Sequence, residues 1–186
     1  MRAALLSVLS VFSVLSVLSA QSIPNGVARS GTLSFDAKAS AGDFTGATHT
    51  ISGQFSGAAD LSGITGWVEA PVNTLITGNG RRDRDLNKSM ESEKFPAIRF
   101  ELSRLQVDSA RADTTFATLH GKFIIHGVTR EVSFPSHVAA EGDGWRLRAS
   151  LPMNLKEYEI KGLSKMLGIL KMNELIQVHV DLLFGP

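Results

Sequence analysis

Apolar and polar residues alternate with a period of two along most of the chain, and the breaks between runs are rich in Gly, Asn, Asp and Ser. That is the pattern of short strands joined by turns. The last run is the cleanest: Ile176, Val178, Val180, Leu182 and Phe184 share a face, with Gln177, His179 and Asp181 opposite. "GWRLRASLPM" sets Trp145, Leu147, Ala149, Leu151 and Met153 against Arg146, Arg148 and Ser150. Three further runs give the faces Leu33–Phe35–Ala37, Phe55–Gly57–Ala59–Leu61 and Val68–Ala70–Val72. In "AIRFELSRLQV" the apolar parity slips, from Ile98, Phe100 and Leu102 to Leu105 and Val107, which predicts a β-bulge near Ser103–Arg104. "ATLHGKFIIHGVTREVSF" divides into two strands at His126–Gly127, where Gly127 adopts positive φ at no steric cost.

Helical spacing is confined to two places. Asn79 or Asp83 can cap a short helix over Arg84–Glu91, with Leu86 and Met90 four apart. Leu163, Met166, Leu167 and Leu170 in "LSKMLGIL" predict a second helix. Roughly eight strands without βαβ alternation imply an antiparallel barrel or sandwich. A barrel of about eight strands either fills with side chains or holds one small apolar ligand, and periodicity does not choose between them.

The N-terminus reads differently. Met1–Arg2 precedes an apolar, serine-spaced stretch from Ala3 to Ser19, and small residues follow at Ser19 and Ala20. This is the build of a secretory signal peptide over residues 1–20, leaving 21–186 as a single domain. An uncleaved anchor is the alternative, but the serines dilute the ~20 apolar residues a span requires. The expected location is periplasmic or secreted. The chain holds no Cys, which excludes a lipoprotein anchor, disulfides and thiolate chemistry. Its 19 basic residues face 18 acidic ones, and removing Arg2 with the leader brings the formal charge to zero. No basic excess of the kind nucleic-acid binders carry is present.

Chemical motifs are sparse. The sequence lacks G-x-S-x-G, H-E-x-x-H and the phosphate-binding glycine patterns. His120 and His126, six apart on one strand, would stand ~20 Å from each other, too far to share a metal ion. Asp83/Asp85 and Glu91/Glu93 lie beside Arg and Lys and read as surface ion pairs. No enzyme, metal or cofactor is implied. The run Arg81–Arg82–Asp83–Arg84–Asp85 has three readings: a solvated connection, a structural pin through Arg82 and Asp83, or a headgroup contact through Arg81 or Arg84 at a cavity mouth.

Two long segments carry a resemblance. "GNGRRDRDLNKSMESEKFPAIRFELS" combines an R-D pair, a short helical stretch and an F-P-x-I-x-F strand, and "LHGKFIIHGVTREVSFP" contains G-x-F-I-I-x-G-V-T-R-x-V. In that order, behind a leader, they resemble the signatures of YceI-like proteins, from about Gly31 to Phe184. The resemblance implies a lipocalin-like, extended antiparallel β-barrel with one or two short helices. It also implies an interior for a polyisoprenoid, an isoprenoid quinone or another amphiphilic lipid, and a periplasmic, stress-related setting. Three positions depart from the pattern: Asp85 stands where His is usual in R-D-x-H-L, and Phe123–Ile124 replace Leu-Thr.

The expected partner is therefore a hydrophobic small molecule, with no nucleic acid and no stable membrane span, and a homodimer left open. Candidate ligand-facing residues are Phe35, Phe55, Trp67, Val72, Ile98, Phe100, Phe123, Trp145, Leu147, Val178 and Val180. Met166 and Leu167 would close one end, and Arg82 and Arg84 are the headgroup candidates. The rival reading is a solidly packed barrel acting as a structural or stress-related interaction module. Small residues at Gly57, Ala59, Ala70 and Ala149 favour unfilled volume.

Overall fold

The computed structural model describes residues 23–161 and 172–186. The strands are β1 (Gly26–Ala37), β2 (Phe44–Thr48), β3 (Ser52–Ser56), β4 (Thr65–Pro71), β5 (Ala97–Arg111), β6 (Thr114–Ile125), β7 (Val128–Glu141), β8 (Gly144–Asn154) and β9 (Leu175–Gly185). Each pairs antiparallel with its neighbours from β3 to β9, and β1 pairs with both β3 and β9. The sheet closes on itself as an eight-stranded barrel. The short β2 sits against the other half of β1, in register from Leu33↔Thr48 to Ala37↔Phe44. Among the described residues one α-helix, α1 (Gly80–Ser89), lies between β4 and β5. No helix of the described residues is long and apolar enough to cross a membrane.

Local chemistry explains the connections. His126 (φ 52°) and Gly127 (φ 76°) are both left-handed, the backbone of a two-residue turn whose twist matches the flanking strands. A side chain on Gly127 would also meet the Phe95 ring at 2.5 Å, so that glycine is required twice over. The expected bulge is present between Leu102 and Arg104, and a second lies between Val107 and Ser109. Opposite the first bulge a Cβ on Gly121 would run into the Glu101 carbonyl and the Phe100 ring; the absent side chain lets β5 and β6 approach.

Three expectations shift. β3 stops at Ser56. Beyond it the Gly57 N–H donates to Asn25 Oδ1 at 2.8 Å, and Ile23 N–H donates to the Ala58 carbonyl at 2.8 Å. The strand face predicted through Gly57, Ala59 and Leu61 therefore breaks: Ala59 is exposed, and Leu61 opens a 3-10 turn capped by Asp60. Val72 follows Pro71 into another 3-10 turn, Val72–Thr74, and so leaves the β4 face. The helix starts and ends earlier than expected because Asn79 caps it, its Oδ1 accepting from Arg81 N–H (3.0 Å) and Arg82 N–H (3.2 Å), and because Glu91 takes φ 45° beyond its end. The segment predicted as a second helix, with Met166 and Leu167, falls mostly outside the described residues.

On the outer face Arg146 donates to Asp181 (2.5 Å) and Glu141 (2.8 Å), and Arg148 donates to the second Asp181 oxygen (3.1 Å), tying β8 to β9. The Arg146 bond, above all, holds the Asp181 carboxyl below the ordinary carboxylate range. A depressed folded-state pKa contributes stability above the unfolded value, and that stability is lost as pH falls through the folded value. Arg146→Gln is therefore expected to cost stability at neutral pH and to flatten the acid decline. Urea midpoints measured from neutrality to below the carboxylate range check this; parallel curves for the two proteins would refute it.

Candidate ligand-binding site

Because the strands alternate, one side chain in two points into the barrel. Two contiguous cavities, of ≈ 140 Å³ and ≈ 110 Å³, remain among those inward side chains. The first is walled by β3 to β9 with Leu33 of β1, and Ile23, Leu61 and Ile64 lie at its edge. The second lies toward α1, bounded by Phe35 and Phe44, by Leu86 of the helix and Met90 at its C-cap, and by Leu155, Ile160 and Met172 beyond β8. Leu33, Ile98, Phe123 and Val180 border both. Polar residues in the walls are few: Gln54 at the first, and Ser34, Ser89 and Lys161 at the second, and the strand register turns the Gln54 and Ser34 side chains to the outer face. A space lined in this way stays dry and accepts apolar guests, since water there would forfeit its hydrogen bonds.

Most of the residues singled out from the sequence meet in this lumen. Phe55, Ile98, Phe100, Phe123, Trp145, Leu147 and Val180 border the first cavity, and Phe35, Ile98, Phe123, Val178 and Val180 the second. Of the four small residues, Ala70 and Ala149 border the first cavity, while Gly57 and Ala59 lie in the loop after β3.

Other residues sit elsewhere. Val72 is buried at 1 % exposure in its 3-10 turn and borders neither cavity. Trp67 touches the first cavity's wall, but its indole lies 4.4 Å beneath the Arg99 guanidinium. Arg99 in turn bridges Glu69 (3.3 Å) and Glu101 (2.9 Å), so Trp67 shares the charged outer face of β4 and β5 rather than the inner face of Val68 and Ala70. Arg82 and Arg84 border neither cavity. Arg82 donates from Nε to Thr77 Oγ1 (2.9 Å) and from its terminal nitrogen to the Thr77 carbonyl (3.0 Å), and lies 4.2 Å over the Phe44 ring. Arg84 is exposed. Of the three readings of the charged run, the structural pin accounts for Arg82 and Asp83.

Several wall residues escaped the sequence reading. Phe44 lies on a strand too short for periodicity, and Leu155, Ile160 and Met172 lie outside regular strands. Only their apolar character could have signalled them.

Polar constellations on the outer face offer little chemistry. Ser150 Oγ lies 2.9 Å from His179 Nδ1, and His179 Nε2 lies 3.0 Å from Asp36 Oδ2, the connectivity of a hydrolase triad with the imidazole nitrogens exchanged. All three residues sit in paired strands of the barrel, where backbone N–H groups serve the ladder. Neither cavity reaches them, whereas a hydrolase needs oxyanion donors and a substrate cleft beside the relay. The other histidines are dispersed: His49 bonds Thr32, His120 bonds Arg104, His126 donates from Nδ1 to the Tyr158 carbonyl, and His137 lies edge-on to Phe116.

The match to known proteins agrees with this architecture. Residues 27–184 match the family described as YceI-like domain. The fold is shared with BcnA of Burkholderia cenocepacia (18 % identity, TM-score 0.70, 82 % of this chain and 95 % of that one). It is shared equally with a polyisoprenoid binding domain from Saccharophagus degradans implicated in plant cell wall breakdown (14 %, 0.70, 88 % and 98 %). A YCEI protein of Campylobacter jejuni is similar at 12 % identity and TM-score 0.57, over 74 % of this chain and 82 % of that one. A comparison with curated protein sequences returns no match. A match over nearly the whole barrel, on a fold its relatives share, makes this chain a member of the YceI-like domain family.

Proposed function

We propose that the chain is an exported, lipocalin-like binder or carrier of a hydrophobic, chain-like molecule: a polyisoprenoid, an isoprenoid quinone or a comparable amphiphilic lipid. One observation carries the reading: a closed barrel retains two contiguous cavities walled almost entirely by aliphatic and aromatic side chains. Burial supplies the affinity, since each methylene removed from water contributes ~0.8 kcal/mol, and no charged contact is needed to hold the chain. A polar head would sit at the second cavity's edge, near Ser89 and the exposed Lys161, rather than at Arg82 or Arg84. The leader-like N-terminus and the polyisoprenoid-binding relative support the same reading. No catalytic step is part of it.

Native mass spectrometry with lipid extraction, on protein purified from its export compartment, is expected to reveal a co-purifying lipid. Protein that is ligand-free and also refuses apolar fluorescent probes would overturn the reading and leave the solid barrel. A substitution ties binding to the lumen. Ala149, 9 % exposed, borders the first cavity, and Ala149→Leu places a branched side chain in that space. Probe affinity should fall about tenfold, equivalent to ~1.4 kcal/mol, while the circular dichroism spectrum stays unchanged. Undiminished binding by the folded variant would locate the probe outside the barrel.

A further inference from the structure

The two cavities meet at Leu33, Ile98, Phe123 and Val180. Leu33 and Val180 are direct cross-strand partners on β1 and β9. Ile98 and Phe123 come from the neighbouring strands β5 and β6, which lie across the eight-strand ring from β9 and β1. The four side chains thus form a belt that enters the lumen from opposite walls. Phe123 is its bulkiest member and is 7 % exposed. Its ring stacks on Phe134 (5.8 Å between centroids, 14° between planes) and tilts against Phe100 (5.0 Å, 51°). Phe100 and Phe134 border only the first cavity. Phe123 is therefore braced from that side while presenting its remaining surface to the second.

We infer that Phe123 and its belt partition the lumen and act as a ruler, setting the length of apolar chain the barrel accepts. A short chain fills one chamber. A longer chain must displace the Phe123 ring and, with it, the stack on Phe134 and Phe100, so the added carbons bring little further affinity. The inference rests on the binding reading above, which concerns whether an apolar chain is held; the belt decides how long that chain can be.

The test is a binding series with geraniol, farnesol and geranylgeraniol on the mature protein and on Phe123→Ala, by displacement of an apolar fluorescent probe. In the wild-type protein the gain from farnesol to geranylgeraniol should be less than about threefold. In Phe123→Ala the two chambers join, and the same step should gain about tenfold or more, ~1.4 kcal/mol. Phe123→Leu keeps the position apolar and branched, and should move in the same direction by a smaller factor; it also serves if the alanine variant fails to fold. Alcohols that bind with the same length dependence in wild-type and variant proteins would overturn the ruler and leave the binding reading standing. Failure of every alcohol to bind the wild-type protein would overturn both.

Discussion

Phe134→Ala lowers the unfolding free energy by about 3–5 kcal/mol, the range for removing a buried aromatic ring. Phe134 is 6 % exposed on the inner face of β7, paired across to Leu119 of β6. Its ring is parallel to that of Phe123 and tilted 58° against that of Phe100 at 5.3 Å. Such pairs add about 0.5–1.5 kcal/mol beyond area burial, and one substitution removes both contacts. The cost depends on how far the surroundings can collapse. Collapse is poor here, because the ring's inner edge already borders the first cavity and the strands around it are fixed in a closed ladder. Urea denaturation should show a lower midpoint with an unchanged slope, marking lost stability rather than an altered denatured state. A loss below about 1 kcal/mol would mean that the three rings pack loosely and do not brace one another. An apolar ligand should restore part of the lost stability, since it binds only the folded state.

The strand faces were legible in the sequence because alternation follows directly from burying one side of a pleated sheet. Leu33–Ala37, Trp145–Met153 and Ile176–Phe184 all point as their spacing indicates, and the slip at Ser103 marks a true bulge. Closure was less accessible. It depends on β1 meeting β9 from the far end of the chain, and periodicity carries no record of which strands pair. Trp67 shows another limit. In "GWVEAP" both Trp67 and Val68 are apolar, and apolar character alone places either of them inward, whereas an amphipathic ring can also cover an outer face beneath an arginine. Here Arg99 takes that place. Val72 continues the parity of Val68 and Ala70, but the chain leaves the strand after Pro71. The cavities could not be read at all: filled core and cavity wall use the same side chains, and only their packing in space separates them.

The charged run between β4 and β5 carries the other large effect. Asp83→Ala is expected to cost about 2–4 kcal/mol, from hydrogen bonds to a charged acceptor worth ~1.5–3 kcal/mol each and a partly buried donor left unmet. Arg82 and Asp83 hold a common residue from two sides. Asp83 Oδ1 accepts from the Thr77 N–H (2.8 Å) and hydroxyl (2.5 Å), while Arg82 donates to the same hydroxyl oxygen and to the Thr77 carbonyl. Thr77 follows Ile76, which bridges to Ala47 of β2, and the Arg82 guanidinium lies over Phe44 of that strand. Phe44, Leu86 and Met90 are walls of the second cavity, so the pin holds α1 across that end of the barrel. Sequence spacing could suggest that Arg82 and Asp83 act together but could not identify Thr77, six residues away, as what they grip. Because both depend on one hydroxyl, Arg82→Ala and Asp83→Ala should be strongly non-additive: the double variant should lose clearly less than the two single losses combined. Thr77→Val keeps the backbone bonds and should lose less than Asp83→Ala. Additive losses across the Arg82–Asp83 cycle would break the shared grip into two independent contacts, and α1 would then be held to the barrel chiefly by the packing of Leu86 and Met90.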